Sequence, residues 1–425
     1  MSKIIIYTDQ KTSRLNYVST FISQSFQTIE LDSICVSDHL DTTRNTIGIN
    51  YSSLPLNNCL KMPIANCLED GRDISSFEDF GRELNYSDDS FNFDMFSAIF
   101  YLLSREEEYH STDLDEHGRF KSSNSILAIK KILGEPVVDY WLLSFLEIIN
   151  SYYNIDLKAG YNYSFNSTLD IDHFFAYKHK SLTIGLGSFI RDLIKLKLKS
   201  VTERFRSIDP FDTFNDIFEF HKSIGLELKL FILCSRRSKF DKSLPPENRE
   251  FIYRVQRYAD KYPVGIHPSY KSGRNEEQLG VEIKLLESMI SRNVTDSRQH
   301  YILLNIPETY RALIKAGIEN DYSMGYPETI GFRAGTSRPF NWYDLANEEC
   351  TSLVVHPFQL MDVSLKNYMG LDPEEAIEEA RKIIDNVKKV NGECTIIWHN
   401  SSFSELHGWE GWKQVYFDIL TAGKP

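Results

Sequence analysis

From about residue 160 to the C-terminus, short apolar runs alternate with longer amphipathic stretches. This alternation constrains the fold more than any other feature of the chain. The runs Leu228–Cys234, Val264–Ile266, Tyr301–Leu304, Leu353–Val355 and Thr395–Trp398 are of strand length, and the segments between them have helical spacing. Strands that alternate with helices pair in parallel, because each crossover needs a helix-length connection. The pattern therefore predicts an α/β fold, either a parallel sheet or a (β/α) barrel. The best-marked helix runs from Pro373 to Val390: Asp372 caps it, Pro373 takes the first position, Glu375 completes a capping box and Gly392 ends it. In such folds the chemistry collects at the C-terminal ends of the strands.

Residues 1–155 read as a smaller N-terminal α/β domain and residues 156–425 as the larger domain. Residues 3–7 predict a strand, and Tyr17, Val18, Phe21, Ile22 and Phe26 follow at helical spacing. Residues 50–90 are rich in Asn, Ser and Asp and predict irregular structure. Asp94 is placed to cap a helix that carries Met95, Phe96, Ile99, Leu102 and Leu103 and ends in Arg105-Glu106-Glu107-Glu108. A second helix is expected over about Tyr140 to Tyr153. His110 and His117 read as surface or capping residues. The larger domain carries an insertion at about 180–208, in which residues 188–206 are basic and amphipathic within an acidic chain. That segment is either a covering helix with a solvated face or a contact for an anionic membrane surface or a phosphate-bearing substrate.

A net charge of -13 argues against a nucleic acid as the main partner, since phosphate binding needs clustered cations. Six cysteines without CxxC spacing fit neither a zinc ribbon nor a disulfide framework. Met1–Tyr7 is a short apolar run followed at once by Thr8, Asp9 and Gln10, without the features of a signal peptide. No run of about 18 apolar residues is present, and the cytoplasm is the expected compartment.

Thr168-Leu169-Asp170-Ile171-Asp172-His173 places two carboxylates and an imidazole at the end of an apolar strand. Two such carboxylates cannot both be buried as free anions; one must be paired, protonated or metal-bound. Further strand-end groups follow at His267 (Gly265-Ile266-His267-Pro268), Arg298 (Arg298-Gln299-His300-Tyr301), Arg333 (Gly331-Phe332-Arg333) and His399 (Trp398-His399-Asn400). The roles divide by chemistry. Asp172 and His267 suit a divalent metal, and Asp170 suits a general base kept ionised by Arg298. His399 suits a general acid for a leaving amine. The reaction implied is metal-assisted hydrolysis of an amide. Tyr270, Arg333 and Trp398 are the expected substrate contacts, with bracing of the loop as the other reading of Arg333.

This constellation resembles the polysaccharide deacetylase family, whose catalytic unit is also called the NodB homology domain (carbohydrate esterase family 4-like), over roughly residues 160–425. The family's base and metal aspartates map to Asp170 and Asp172, its motif arginine to Arg298 and its last histidine to His399. His267 matches the first member of the family's H-x-x-x-H pair, and Lys271 stands at the second. The stretches Pro307–Tyr326 and Phe100–Tyr109 resemble one branch, in which an uncharacterised N-terminal domain precedes the deacetylase-like domain in bacteria that build surface polysaccharides. The resemblance implies a distorted (β/α) barrel and a divalent metal, Zn first, with Co, Ni or Mn as alternatives. It also implies an N-acetylated sugar, glycan or glycan precursor as substrate. With Lys271 a poor ligand, the third ligand must come from elsewhere: His300 first, then His173, then His356. Two other readings are a hydrolase of another amide or ureide C–N bond and a non-catalytic carbohydrate-binding protein with a degraded metal site.

Overall fold

The computed structural model describes residues 2–36, 47–196, 198–404, 406 and 408–425. Lys197 of the basic segment lies outside the described residues. The N-terminal part contains β1 (Ser2–Thr8), β2 (Ile29–Cys35), β3 (Ile47–Tyr51), β4 (Leu60–Lys61), β5 (Tyr86–Ser87) and β6 (Ser90–Phe91). They form one sheet in the order β2-β1-β3-β4-β6-β5, parallel except at its β5–β6 edge. The predicted helix after β1 covers Ser13–Phe26, with Thr12 accepting from the Leu15 amide as its cap. Asp94 likewise caps Met95–Ser104 by accepting from Ser97, and the second expected long helix runs Val137–Tyr153.

The second sheet is built from β7 (Ser164–Ile171), β8 (Leu228–Ile232), β9 (Val264–Ile266), β10 (Asp296–Ser297), β11 (Asn320–Asp321), β12 (Phe340–Asp344), β13 (Glu349–Val355), β14 (Leu360–Met361) and β15 (Glu393–His399). Its order is β12-β13-β11-β10-β9-β8-β7-β15-β14, parallel throughout except for the antiparallel β12–β13 pair. The molecule is therefore a mixed α/β protein with two largely parallel sheets. Among the described residues the edge strands β12 and β14 are not paired with each other. The capping box at Asp372 and Glu375 is present, and its helix runs Pro373–Lys389.

One expected strand is displaced. Tyr301–Leu304 is not extended: residues His300–Ile302 form a tight turn, and the strand is the two-residue β10 just before it. Tyr301 and Ile302 have φ of 60° and 52°, a left-handed conformation that is rare for non-glycine residues and rarer for a β-branched one. The apolar run Ile302-Leu303-Leu304 is buried as a loop, and a short apolar run alone does not separate that from a strand.

The main hydrophobic core runs through both parts, from Ile4 to Leu420. Tyr17 and Phe100 pack on Tyr343, with ring centroids 5.0 Å apart in each pair. A buried ionic knot joins the parts as well. Glu108 accepts from Arg105 at 2.8 Å and from Arg333 at 2.9 and 2.5 Å, and all three side chains are at most 3% exposed. All six cysteines are unpaired. Among the described residues no helix is long and apolar enough to cross a membrane.

Candidate metal centre

The parallel order puts the C-terminal ends of β7, β9, β10 and β15 along one edge, and the site is assembled there. Side chains two apart on a strand share a face, so Asp170 and Asp172 point the same way from the end of β7. β15 pairs with β7 in a register that sets His399 directly beside Asp170. Ile266 pairs with Ser297, which places His267 next to Arg298 on the other side.

Asp172, His267 and His300 offer ligand atoms that all lie within 4.8 Å of one another. The tautomers follow from the other ring nitrogens. His267 Nδ1 donates to the Arg298 carbonyl at 2.6 Å, so Nε2 carries a lone pair toward the centre. That Nε2 is 3.3 Å from Asp172 Oδ1. Both atoms are buried and neither has a hydrogen-bond partner, so two lone pairs face each other across a gap that a cation would fill. His300 Nδ1 donates to Asp241 at 3.0 Å, and its Nε2 lies 3.6 Å from the same Asp172 oxygen. A carboxylate or carbonyl behind each imidazole is the usual support for a metal-binding histidine. Burial works against charge on His300, but Asp172 and Asp241 on either side outweigh it and raise its pKa to about 9. Burial also works against the Asp172 carboxylate, and the neighbouring imidazoles, His300 foremost, overcome it and hold its pKa well below the usual range. One carboxylate and two imidazoles form a donor set that fits a divalent transition metal.

Two dyads flank this trio. Arg298, wholly buried, reaches Asp170 Oδ1 at 3.3 Å and is fixed by Thr168 Oγ1 at 2.6 Å and the Tyr322 carbonyl at 2.9 Å. On the other side His399 Nδ1 donates to Asp362 at 2.8 Å, while its Nε2 is 3.9 Å from Asp172 Oδ2. Burial opposes protonation of His399, but Asp362, with help from Asp172 and Asp170, raises its pKa to about 10.

A family model described only as a family of unknown function (DUF7033) matches residues 4–154. No curated protein sequence matches the chain. Among solved structures, the carbohydrate deacetylase Agd3 is similar over 99% of this chain and 84% of its own, at 8% identity and a TM-score of 0.40. The polysaccharide deacetylase Bc1974 from Bacillus cereus is similar over 61% of this chain and 87% of its own, at 12% identity and a TM-score of 0.30. BA3943 from Bacillus anthracis, a CE4 family pseudoenzyme, is similar over 62% of each chain at 10% identity and a TM-score of 0.28.

A cavity of about 290 Å³ opens onto the trio, with Phe240, Tyr301, Tyr368 and Arg119 among its walls. Of the other expected residues, His173 lines this cavity but lies on the opposite face of the strand end, its ring against Phe211 at 5.1 Å. Burial lowers its pKa to about 4. His356 is elsewhere, bonded to Glu393 and Asn320. Lys271 is exposed and borders a different cavity.

The three expected substrate contacts do not line the site cavity. Tyr270 stacks behind Phe240 with ring centroids 3.8 Å apart. Arg333 is consumed by Glu108 and the Gly325 carbonyl, which is the bracing role. Trp398 alternates with His399 and so turns into the core against Tyr416 and Trp412.

The sequence reading missed Asp241, Asp362 and Arg119. Asp362 follows the β14 pair Leu360-Met361, so a carboxylate at an apolar run's end was its available signal. Asp241 and Arg119 come from loops with no periodic signature. His117, expected at the surface, donates or accepts at Tyr270 Oη (3.1 Å) and sits among Phe240, Tyr270 and Tyr301.

Proposed function

We propose that the chain is a metal-dependent hydrolase that removes an N-acetyl group from a sugar or glycan precursor, with residues 156–425 as the catalytic domain. One observation carries the reading: an Asp-His-His trio, with buried imidazoles and two unsatisfied lone pairs, lies at a cavity between a carboxylate–arginine dyad and an imidazole–carboxylate dyad. Asp172, His267 and His300 would hold a divalent cation, Zn or else Co, Ni or Mn, which would supply Lewis acidity at the amide carbonyl and make a bound water more acidic. Asp170, oriented by Arg298, takes the proton of the attacking water as general base. His399, kept protonated by Asp362, gives its Nε2 proton to the leaving amine nitrogen. The Asp241 and Arg298 backing bonds hold both imidazoles with Nε2 directed at Asp172. Phe240, Tyr301 and Tyr368 offer ring faces of the kind on which a sugar stacks.

Acetate release tests the reading. The metal-loaded chain is incubated with N-acetylglucosamine oligomers and with nucleotide-linked and lipid-linked N-acetyl sugars. Release from at least one substrate, lost in Asp170→Asn, supports it. No acetate from any of them with any of the four metals refutes it.

A further inference from the structure

The insertion between β7 and β8 turns apolar side chains outward. Helix Leu182–Ile194 and the short helix Leu198–Glu203 pack together, and the buried side chains among their described residues are the polar Asp192, Ser200 and Glu203. Asp192 is buried and paired with Arg204 at 2.5 Å. Arg204 also donates to Ser188 at 3.0 Å and lies 4.2 Å over the Tyr177 ring. The outward stripe is apolar. Leu186, Ile190, Leu193 and Ile194 recur at helical spacing and are 61%, 47%, 42% and 76% exposed. Leu196, Phe205 and Ile208 continue the surface at 80%, 78% and 67%. Seven of the fifteen exposed large hydrophobic residues among the described residues thus fall within residues 186–208. A helix of a globular protein turns such a stripe toward its core, and a contiguous exposed patch marks an interaction surface.

The charge of the segment narrows the partner. Residues 178–206 carry eight Lys or Arg against Asp192 and Glu203, in a chain whose net charge is -13. Glu203 pairs with Arg206 at 3.0 Å and Lys199 with Glu410 at 2.9 Å. Arg191, at the edge of the stripe, is 65% exposed, with its Nε 3.6 Å from Asp192 Oδ1, and Lys195 beside it is exposed. A second copy meeting this face with its own would present the same excess of cations and be repelled. An anionic bilayer offers acyl chains to the stripe and phosphates to the cations.

We propose that this helical hairpin docks on the surface of an anionic lipid bilayer, seating Ile190, Ile194, Leu196 and Phe205 below the headgroups and Arg191 and Lys195 among them. The proposal stands apart from the hydrolase reading. The hairpin follows the strand that carries the two aspartates.

Co-sedimentation of the full chain with vesicles of phosphatidylcholine alone, or mixed with phosphatidylglycerol, tests this. The wild type is expected to bind the mixed vesicles, to leave them as salt rises, and to bind phosphatidylcholine weakly. Each cation near the surface is worth about fivefold in partitioning, so Arg191→Ala/Lys195→Ala is expected to lose roughly 25-fold. Ile190→Glu/Ile194→Glu, at solvent-facing positions that leave the fold's circular dichroism unchanged, is expected to abolish binding. Absence of wild-type binding overturns the proposal, as does full binding by either variant. A concentration-dependent dimer in sedimentation that Ile190→Glu/Ile194→Glu dissociates, without vesicle binding, would instead make the stripe a self-interface and also overturn it.

Discussion

Replacing Asp362 with Asn removes the charge behind His399 while leaving an amide oxygen able to accept from Nδ1. Asp362 is wholly buried and also accepts from the His399 amide at 2.9 Å and from Ser402 Oγ, so its position is fixed. The rise of the His399 pKa from 6.5 to about 10 corresponds to roughly 5 kcal/mol of preference for the imidazolium. Asp362 is the largest favourable contributor, ahead of Asp172 and Asp170. An opposite charge in contact is worth about 1–3 pH units, so the variant is expected to titrate lower by that amount. The assay is an NMR pH titration of the His399 ring in the metal-free chain. In turnover, the alkaline limb of the pH profile is expected to move down by the same interval. Because the folded pKa is raised, this group's contribution to stability is fully present below the unfolded value of 6.5 and is lost as pH rises through about 10. In Asp362→Asn the contribution is smaller and its loss is complete at lower pH. A variant in which His399 titrates at the wild-type value, or a wild type titrating near 6.5, would refute the reasoning.

Three further outcomes follow from the same geometry. Asp170→Asn is expected to keep the metal and lose about 10²–10⁴-fold in turnover, the usual worth of a positioned base; single-turnover acetate release measures it. Metal affinity by calorimetry is expected to rise with pH through about 9 and flatten above, because His300 must give up the proton that Asp172 and Asp241 hold on it. Glu108→Ala leaves Arg105 and Arg333 buried without their shared partner and is expected to destabilise by about 3–5 kcal/mol in urea unfolding.

What was legible in the sequence was what repeats or what sits at a strand's end. The period-two face of β7 put Asp170 and Asp172 on one side, and the apolar runs of β9 and β15 delivered His267 and His399 to the same edge. The helices at Asp94 and Asp372 were readable because a capping side chain bonds within its own turn. The two-residue strands β10 and β11 were not readable, since two residues have no periodicity; their pairing is fixed by neighbours far along the chain. Asp241 meets His300 only through tertiary approach, 59 residues away in sequence. Arg333 and Trp398 carried substrate-binding chemistry in type, but burial against Glu108 in one case and strand alternation in the other decided where each side chain went. His300 reaches the trio through the left-handed turn at Tyr301 and Ile302, a conformation neither residue announces.

Metal stoichiometry tests the central claim most directly: the chain is exposed to Zn²⁺, freed of excess ion and assayed for metal by elemental analysis. The account predicts one ion per chain in the wild type, lost in each of Asp172→Ala, His267→Ala and His300→Ala, and retained in His173→Ala and His356→Ala. No uptake by the wild type, or full occupancy in His300→Ala, would contradict it.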